Sequence, residues 1–215
     1  DLSGTDVTFG FDTAVNIVTE ALDRLHSTTE AHHRVMVVEV MGRHAGWIAV
    51  HGGIAGGADM TLIPERPFKI DDIVDVVKQR RERGKTFSII VTAEGASPTD
   101  AGELITKDAE RDAFGNVRLG GVAELLAGEI EKRTGLETRY VVLGHLQRGG
   151  TPTAYDRVLA TRYGIRAVEL VEAGKFGRMV ALKGSDVVDV SLKDATSKTR
   201  TVDDELYKIA EVFFG

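Results

Sequence analysis

Apolar positions along the chain alternate between two periods. Over 12–29 they fall at Ala14, Val15, Val18, Ala21, Leu22 and Leu25, a three-and-four spacing that lays one stripe along a helix. The next apolar run, RVMVVEV at 34–40, is continuous and β-branched, which predicts a strand buried on both faces. The alternation continues with a helix over 42–54, a short strand at 61–65 and a surface helix over 70–83. In that surface helix Ile70, Ile73, Val74 and Val77 share one face. A second buried strand follows at 87–94, and residues 95–119 are polar and without period, which predicts a long excursion.

Helix 121–135 ends in basic residues and Gly135, an ordinary stop. Strand 139–144 leads into GHLQRGGTPTAYDR. Thr151 is the expected N-cap of the next helix, with Pro152 at its first position, and that helix runs toward Ala173. Two β-like runs, 178–184 and 186–192, precede a last helix over 202–214. Strands alternating with helices imply an α/β fold, a mostly parallel sheet covered on both faces.

Composition narrows the class. A 42% hydrophobic and 28% charged content belongs to a soluble globular chain. With no cysteine, disulfides and thiolate chemistry are excluded. No apolar run approaches the roughly 20 residues that span a bilayer, and there is no signal peptide. The expectation is a cytoplasmic protein without a membrane partner. A net charge of −6 argues against nucleic acid, which favours a basic face, but leaves room for a small anion held by a local cluster of cations. The chain opens on DLSGTDVTFGF without methionine, as a trimmed chain or a piece of a longer one would.

In parallel α/β sheets, ligands bind beyond the carboxyl ends of the strands. Three of those ends carry polar groups: Met41, Gly42 and Arg43 in MGRHAGW, Thr92 and Glu94 after the second buried strand, and His145, Gln147 and Arg148 after the third. Alone, His145 reads as a turn histidine and Glu94 as a salt-bridge partner. Gathered at one sheet edge, two arginines, a histidine and a carboxylate suit a phosphorylated polyol, the cations taking phosphate and the carboxylate taking hydroxyls. Arg34 and Arg139 stand at the other ends of their strands, roughly 20 Å away at about 3.3 Å per residue. They are either edge charges or residues that reach into a neighbouring chain's site.

Other polar clusters carry less. His32 and His33 read as a solvated turn, and His44 with His51 lack the third ligand of a zinc site. GGIAGGAD at 52–59 fits neither GxGxxG nor GxxxxGK[ST] and reads as close packing. A Rossmann oxidoreductase would need GxGxxG after a strand and an acidic residue about 20 positions on, and neither is found, which makes that reading weak.

MGRHAGW, AEG and GHLQRGG in that order, with GTDVTFGFDTA in front, resemble the 6-phosphofructokinase family over essentially the whole chain. The resemblance implies the family's fold of parallel-sheet, Rossmann-like lobes, here the second lobe plus part of the first. Residues 1–10 would end the first, nucleotide-side lobe, 11–146 would form the sugar-phosphate lobe, 147–197 would return to the first, and the helix of 198–215 would pack on the second. It implies phosphoryl transfer from ATP or pyrophosphate, with magnesium (Mg2+), to the 1-hydroxyl of fructose 6-phosphate, a step of glycolysis.

By the same resemblance Met41, Gly42 and Arg43 contact the sugar phosphate, Arg43 also steadies the transferring group, and Glu94 binds sugar hydroxyls. His145 and Arg148 bind fructose 6-phosphate in the same subunit, while Arg34 and Arg139 reach the 6-phosphate of a neighbour in a homo-oligomer, a dimer or tetramer. His26, Asp59 and Lys85 match an allosteric effector site, with His26 where many bacterial members have arginine. Asp1 matches the last aspartate of the motif PKTIDND; the family's base aspartate, its donor loops, its magnesium site and the residues that choose between donors lie upstream of it. The segment 95–118 resembles the actinobacterial and pyrophosphate-using branches. The expectation is a kinase fragment inactive by itself, and the alternative is a non-catalytic regulatory module that binds sugar phosphate.

Overall fold

Four strands, β1 (Val35–Val40), β2 (Met60–Leu62), β3 (Ser88–Ala93) and β4 (Thr138–Val142), form a parallel sheet in the order β2-β3-β1-β4. This computed structural model describes residues 2–99 and 121–214. Asp1 and most of the expected excursion at 95–119 lie outside those residues. Every residue of β1 and β3 is buried, which is why both read as unbroken apolar runs. Period two then sorts the side chains. Met36, Val38 and Val40 pack with α1 (Phe11–Ala31), α2 (Trp47–Ala55) and α7 (Asp204–Glu211), while Val35 and Val37 pack with α3 (Ile70–Glu82) and α4 (Val122–Thr134). The α/β architecture is the one the periods predict.

Two local expectations are corrected. The helix expected from residue 42 begins at Trp47, because Gly42 has φ of 150°, far from helical values. Glu65 accepts the Gly46 N–H at 3.0 and 3.1 Å, just ahead of the helix. The next long helix, α5 (Ala154–Glu172), is capped by Thr153 rather than Thr151, the Thr153 hydroxyl accepting the Asp156 N–H at 3.3 Å. The last two strands, β5 (Arg178–Lys183) and β6 (Asp186–Ser191), pair antiparallel and apart from the main sheet. Gly184 turns their hairpin at φ 59°, and a short helix α6 (Leu192–Ala195) follows.

Beneath α5, Leu159, Tyr163 and Leu182 form a small core of their own with the hairpin. The other side of α5 leaves Val158, Ile165 and Val168 each about 60% exposed. At the far end of the chain α7 closes over the main sheet, and the buried Tyr207 hydroxyl donates to the Thr61 carbonyl at 3.0 Å.

The run GGIAGGAD is close packing. A β-carbon on Gly52 would sit 2.5 Å from Val18 Cγ1, and one on Gly56 would sit 2.4 Å from Leu22 Cδ1. Two glycines four apart, one in α2 and one at its C-cap, thus meet two apolar side chains four apart on α1, which pack directly on the α2 backbone. Gly128 on α4 has nothing within 4 Å of its β-carbon position. Gly52→Ala is expected to lose about 1–2 kcal/mol, overpacking outweighing the gain in helix propensity. Gly128→Ala should gain about 0.5–1 kcal/mol. Urea unfolding of both variants checks the contrast.

Candidate sugar-phosphate site

Beyond the carboxyl ends of β1, β3 and β4 lies an open cleft of about 1610 Å³, and its lining includes Met41, Gly42, Arg43, Glu94, His145 and Arg148. The six residues expected there are therefore gathered at one place. Backbone geometry does the gathering. Glu94 N–H donates to the Val40 carbonyl at 2.9 Å, Gly95 N–H to Gly42 at 3.0 Å, and Leu143 N–H to Glu39 at 3.0 Å. Each strand end is thus tied to its neighbour one step past the sheet. A β-carbon on Gly95 would stand 2.0 Å from the Arg43 carbonyl oxygen, so no other residue permits this approach without moving the backbone.

Side chains complete the cradle. Glu94 Oε1 accepts the Gly42 N–H at 3.5 Å, which keeps the carboxylate against the loop that carries Arg43. Arg148 Nε lies 3.3 Å from the Met41 sulfur. Gln147 is buried, unlike its neighbours, and its Oε1 accepts the Met41 N–H at 3.3 Å while its Nε2 donates to the Gly144 carbonyl at 3.2 Å. It braces the short 3-10 turn Gly144–Arg148, leaving His145 and Arg148 exposed to solvent. The sequence placed Gln147 at this edge; its alternation with two exposed cations was the signal for an inward side chain. Guanidinium, imidazole and carboxylate groups lining one cleft can hold an anion and a hydroxyl-bearing carbon frame together.

The remaining expected residues lie at the opposite edge. Arg34 Nη2 and Arg139 Nη2 meet the same Glu137 oxygen, at 3.3 and 3.1 Å. Parallel register explains the convergence, since Val35 pairs with Thr138 and Met36 with Arg139. Asp59 also lies at this edge, where Arg80 Nη2 contacts one of its oxygens at 2.6 Å and Ile89 N–H donates to the other at 2.9 Å. Burial pushes the Asp59 carboxyl up, while the Ile89 N–H and then the charges of Arg80, His26 and Lys85 pull it back. His26 rests edge-on against Phe87, 4.8 Å between ring centres, and 4.0 Å from Glu30. Arg80, which the sequence did not single out, is buried and pairs with Asp59.

The sequence model described as phosphofructokinase matches residues 1–171. The chain belongs to the phosphofructokinase family. It is 62% identical to a pyrophosphate–fructose 6-phosphate 1-phosphotransferase of Amycolatopsis mediterranei, over all of this chain and 62% of that protein. It is 56% identical to ATP-dependent 6-phosphofructokinase 3 of Streptomyces coelicolor, over 98% of this chain and 62% of that one. Among solved structures, phosphofructokinase from Saccharomyces cerevisiae matches with a TM-score of 0.75 and 31% identity, over 98% of this chain and 26% of that chain. The chain thus spans about 62% of the length of the curated relatives it matches.

Among the described residues of this phosphofructokinase chain, no three His, Asp or Glu side chains converge to hold a metal ion. The described residues therefore offer no ready donor set for magnesium. Likewise, no helix among the described residues is long and apolar enough to cross a membrane.

One carboxylate behind the site was not singled out by the sequence. Glu39, the lone charge within β1, is buried and accepts the Ala123 N–H at 3.1 Å, so it caps α4 from inside the sheet. Burial pushes its pKa above the ordinary 4.5, the Ala123 N–H opposes this, and the charge of Glu94 pushes it further up. A carboxyl whose folded pKa is raised holds its proton more tightly in the folded chain. Its contribution to stability is therefore present at low pH and is lost as pH rises from the unfolded value through the folded one. Glu39→Gln keeps an acceptor for Ala123 without the charge. Its melting temperature should exceed that of the parent by more at pH 7 than at pH 4, measured by thermal unfolding at both.

Proposed function

We propose that the protein containing this chain transfers a phosphoryl group to the 1-hydroxyl of fructose 6-phosphate, and that this chain supplies the sugar-phosphate cradle. The observation that carries the reading is the convergence of Arg43, Glu94, His145 and Arg148 at three adjoining strand ends, in a chain 62% identical to a protein named for that reaction. Arg148 and His145 take the phosphate of the sugar, and Glu94 accepts from its hydroxyls. Arg43, on the loop of Met41 and Gly42, balances charge growing on the transferred group.

The donor is ATP or pyrophosphate, both represented among the relatives. The base, the donor loops and magnesium belong, on this reading, to the further length those relatives have. Residues 11–146 with the final helix form the sugar-phosphate lobe, and 1–10 with 147–197 belong to the other lobe. The exposed apolar side of α5 supports that division, since Val158, Ile165 and Val168 need cover. Arg34 and Arg139, joined through Glu137 and roughly 20 Å from the cleft along β1, serve the site of a neighbouring subunit in a homo-oligomer. His26, Asp59 and Lys85 form an effector site at the same edge. The compartment is the cytoplasm, where glycolysis runs.

Calorimetric titration of the full-length protein with fructose 6-phosphate, and of its Arg148→Ala variant, tests the cradle. The variant should lose roughly 1.5–3 kcal/mol of binding, the scale of a charge-assisted hydrogen bond. Unchanged affinity would return 144–157 to being a turn. Turnover assayed with ATP and with pyrophosphate separates donors, and binding without turnover on either would make the protein a sugar-phosphate-binding module instead.

A further inference from the structure

The starts of α1 and α5 cap each other. Gly10, ahead of α1, has no side chain to accept the first N–H groups of that helix. Asp156, from the first turn of α5, supplies the acceptor: its Oδ2 takes the Thr13 N–H at 2.8 Å and the Thr13 hydroxyl at 2.5 Å. The Thr13 oxygen accepts the Thr153 N–H at 3.1 Å, and the Thr153 hydroxyl donates to Asp12 at 2.6 Å. Asp156 N–H returns to the Thr153 oxygen at 3.3 Å. The result is a closed ring of hydrogen bonds between residues 143 positions apart in the case of Thr13 and Asp156. Asp156 is 3% and Thr13 8% exposed. A carboxylate so deeply buried is retained against a desolvation cost, whereas a serine or asparagine at position 10 would cap α1 locally.

The ring stands next to the cleft's cations. Residues 149–152 alone separate Arg148 from Thr153, and two of them are glycine, Gly150 with φ of 80°. This link has little stiffness of its own. On its near side, Gln147 fastens the turn to Met41; on its far side, Thr153 is fastened by Thr13 and Asp12. We infer that Asp156 and Thr13 are positioning residues, which act through Thr153 to hold His145 and Arg148 at the distance and angle that sugar phosphate requires. The inference rests on the fructose 6-phosphate reading and adds to it two residues joined through Asp156 Oδ2, the other Asp156 oxygen being buried without a hydrogen-bond partner.

Steady-state kinetics of the full-length protein tests this, with both substrates varied. Asp156→Ala should raise KM for fructose 6-phosphate roughly tenfold or more, with kcat and the donor KM within about threefold of wild type. Thr13→Val keeps the capped N–H but removes the hydroxyl that relays to Thr153, and should raise the same KM roughly fivefold. Asp156→Asn retains an acceptor of the same shape and should restore KM to within about threefold. Mere destabilisation would lower apparent kcat through the folded fraction and leave KM alone. A wild-type sugar KM in both Asp156→Ala and Thr13→Val, in an active enzyme, overturns the positioning role while leaving the cradle standing. A wild-type protein that neither binds nor turns over fructose 6-phosphate overturns the functional reading and this inference together. Should Asp156→Ala not fold, Thr13→Val decides.

Discussion

The cleft depends on how closely two backbone segments can pass. The loop after β1 and the loop after β3 lie in contact at Gly42, Arg43 and Gly95, at a separation that leaves no room for a β-carbon on Gly95. Because these loops carry Arg43 and Glu94, the same contact brings a guanidinium and a carboxylate to one side of the sheet. Packing on both faces then makes the approach rigid. All six residues of β1 and of β3 are buried, and a close-packed interior does not let a strand slide to relieve its ends. The site inherits its precision from the sheet's core, not from the loops that display it.

How much of this could be read from the sequence depended on range. The strands β1 and β3 and the helices α1, α3 and α4 announce themselves by period, because burial of one stripe or two faces leaves a local trace. Arg34 and Arg139 were legible as a pair because their strands have the same layout, and parallel pairing brings both to the same sheet edge, Arg139 opposite Met36. Their shared partner Glu137 follows from register, which a single strand does not reveal. Thr151 and Thr153 offer the same cap chemistry, and the choice between them is made by Thr13 and Asp12 on another helix. The role of Glu39 and the partner of Gln147 were hidden for a related reason. Each residue turns a polar side chain inward to satisfy a backbone N–H of another segment, a demand that becomes visible only when that segment is in place.

The two sheet edges divide the chain's charges. At the carboxyl edge, Arg43, His145 and Arg148 line an open cleft together with Glu94. At the amino edge, cations are held by the chain's own acids, Arg34 and Arg139 by Glu137 and Arg80 by Asp59. An exposed ion pair such as Arg139–Glu137 contributes little to stability, and the pair of buried Arg80 with Asp59 offsets its own desolvation, so the amino-edge pairs fix orientation more than they hold the fold. The core does the latter, through two apolar layers that meet the sheet on opposite faces.

The ring formed by Thr13, Asp12, Thr153 and Asp156 also sets an order in time. A helix start capped by its own sequence is finished as soon as it leaves the ribosome. The first turn of α1 instead waits for an acceptor encoded 143 residues later, roughly 7–30 s at about 5–20 residues per second. Until then α1 has an unfinished end, and the nascent chain gains its full register only when α5 emerges.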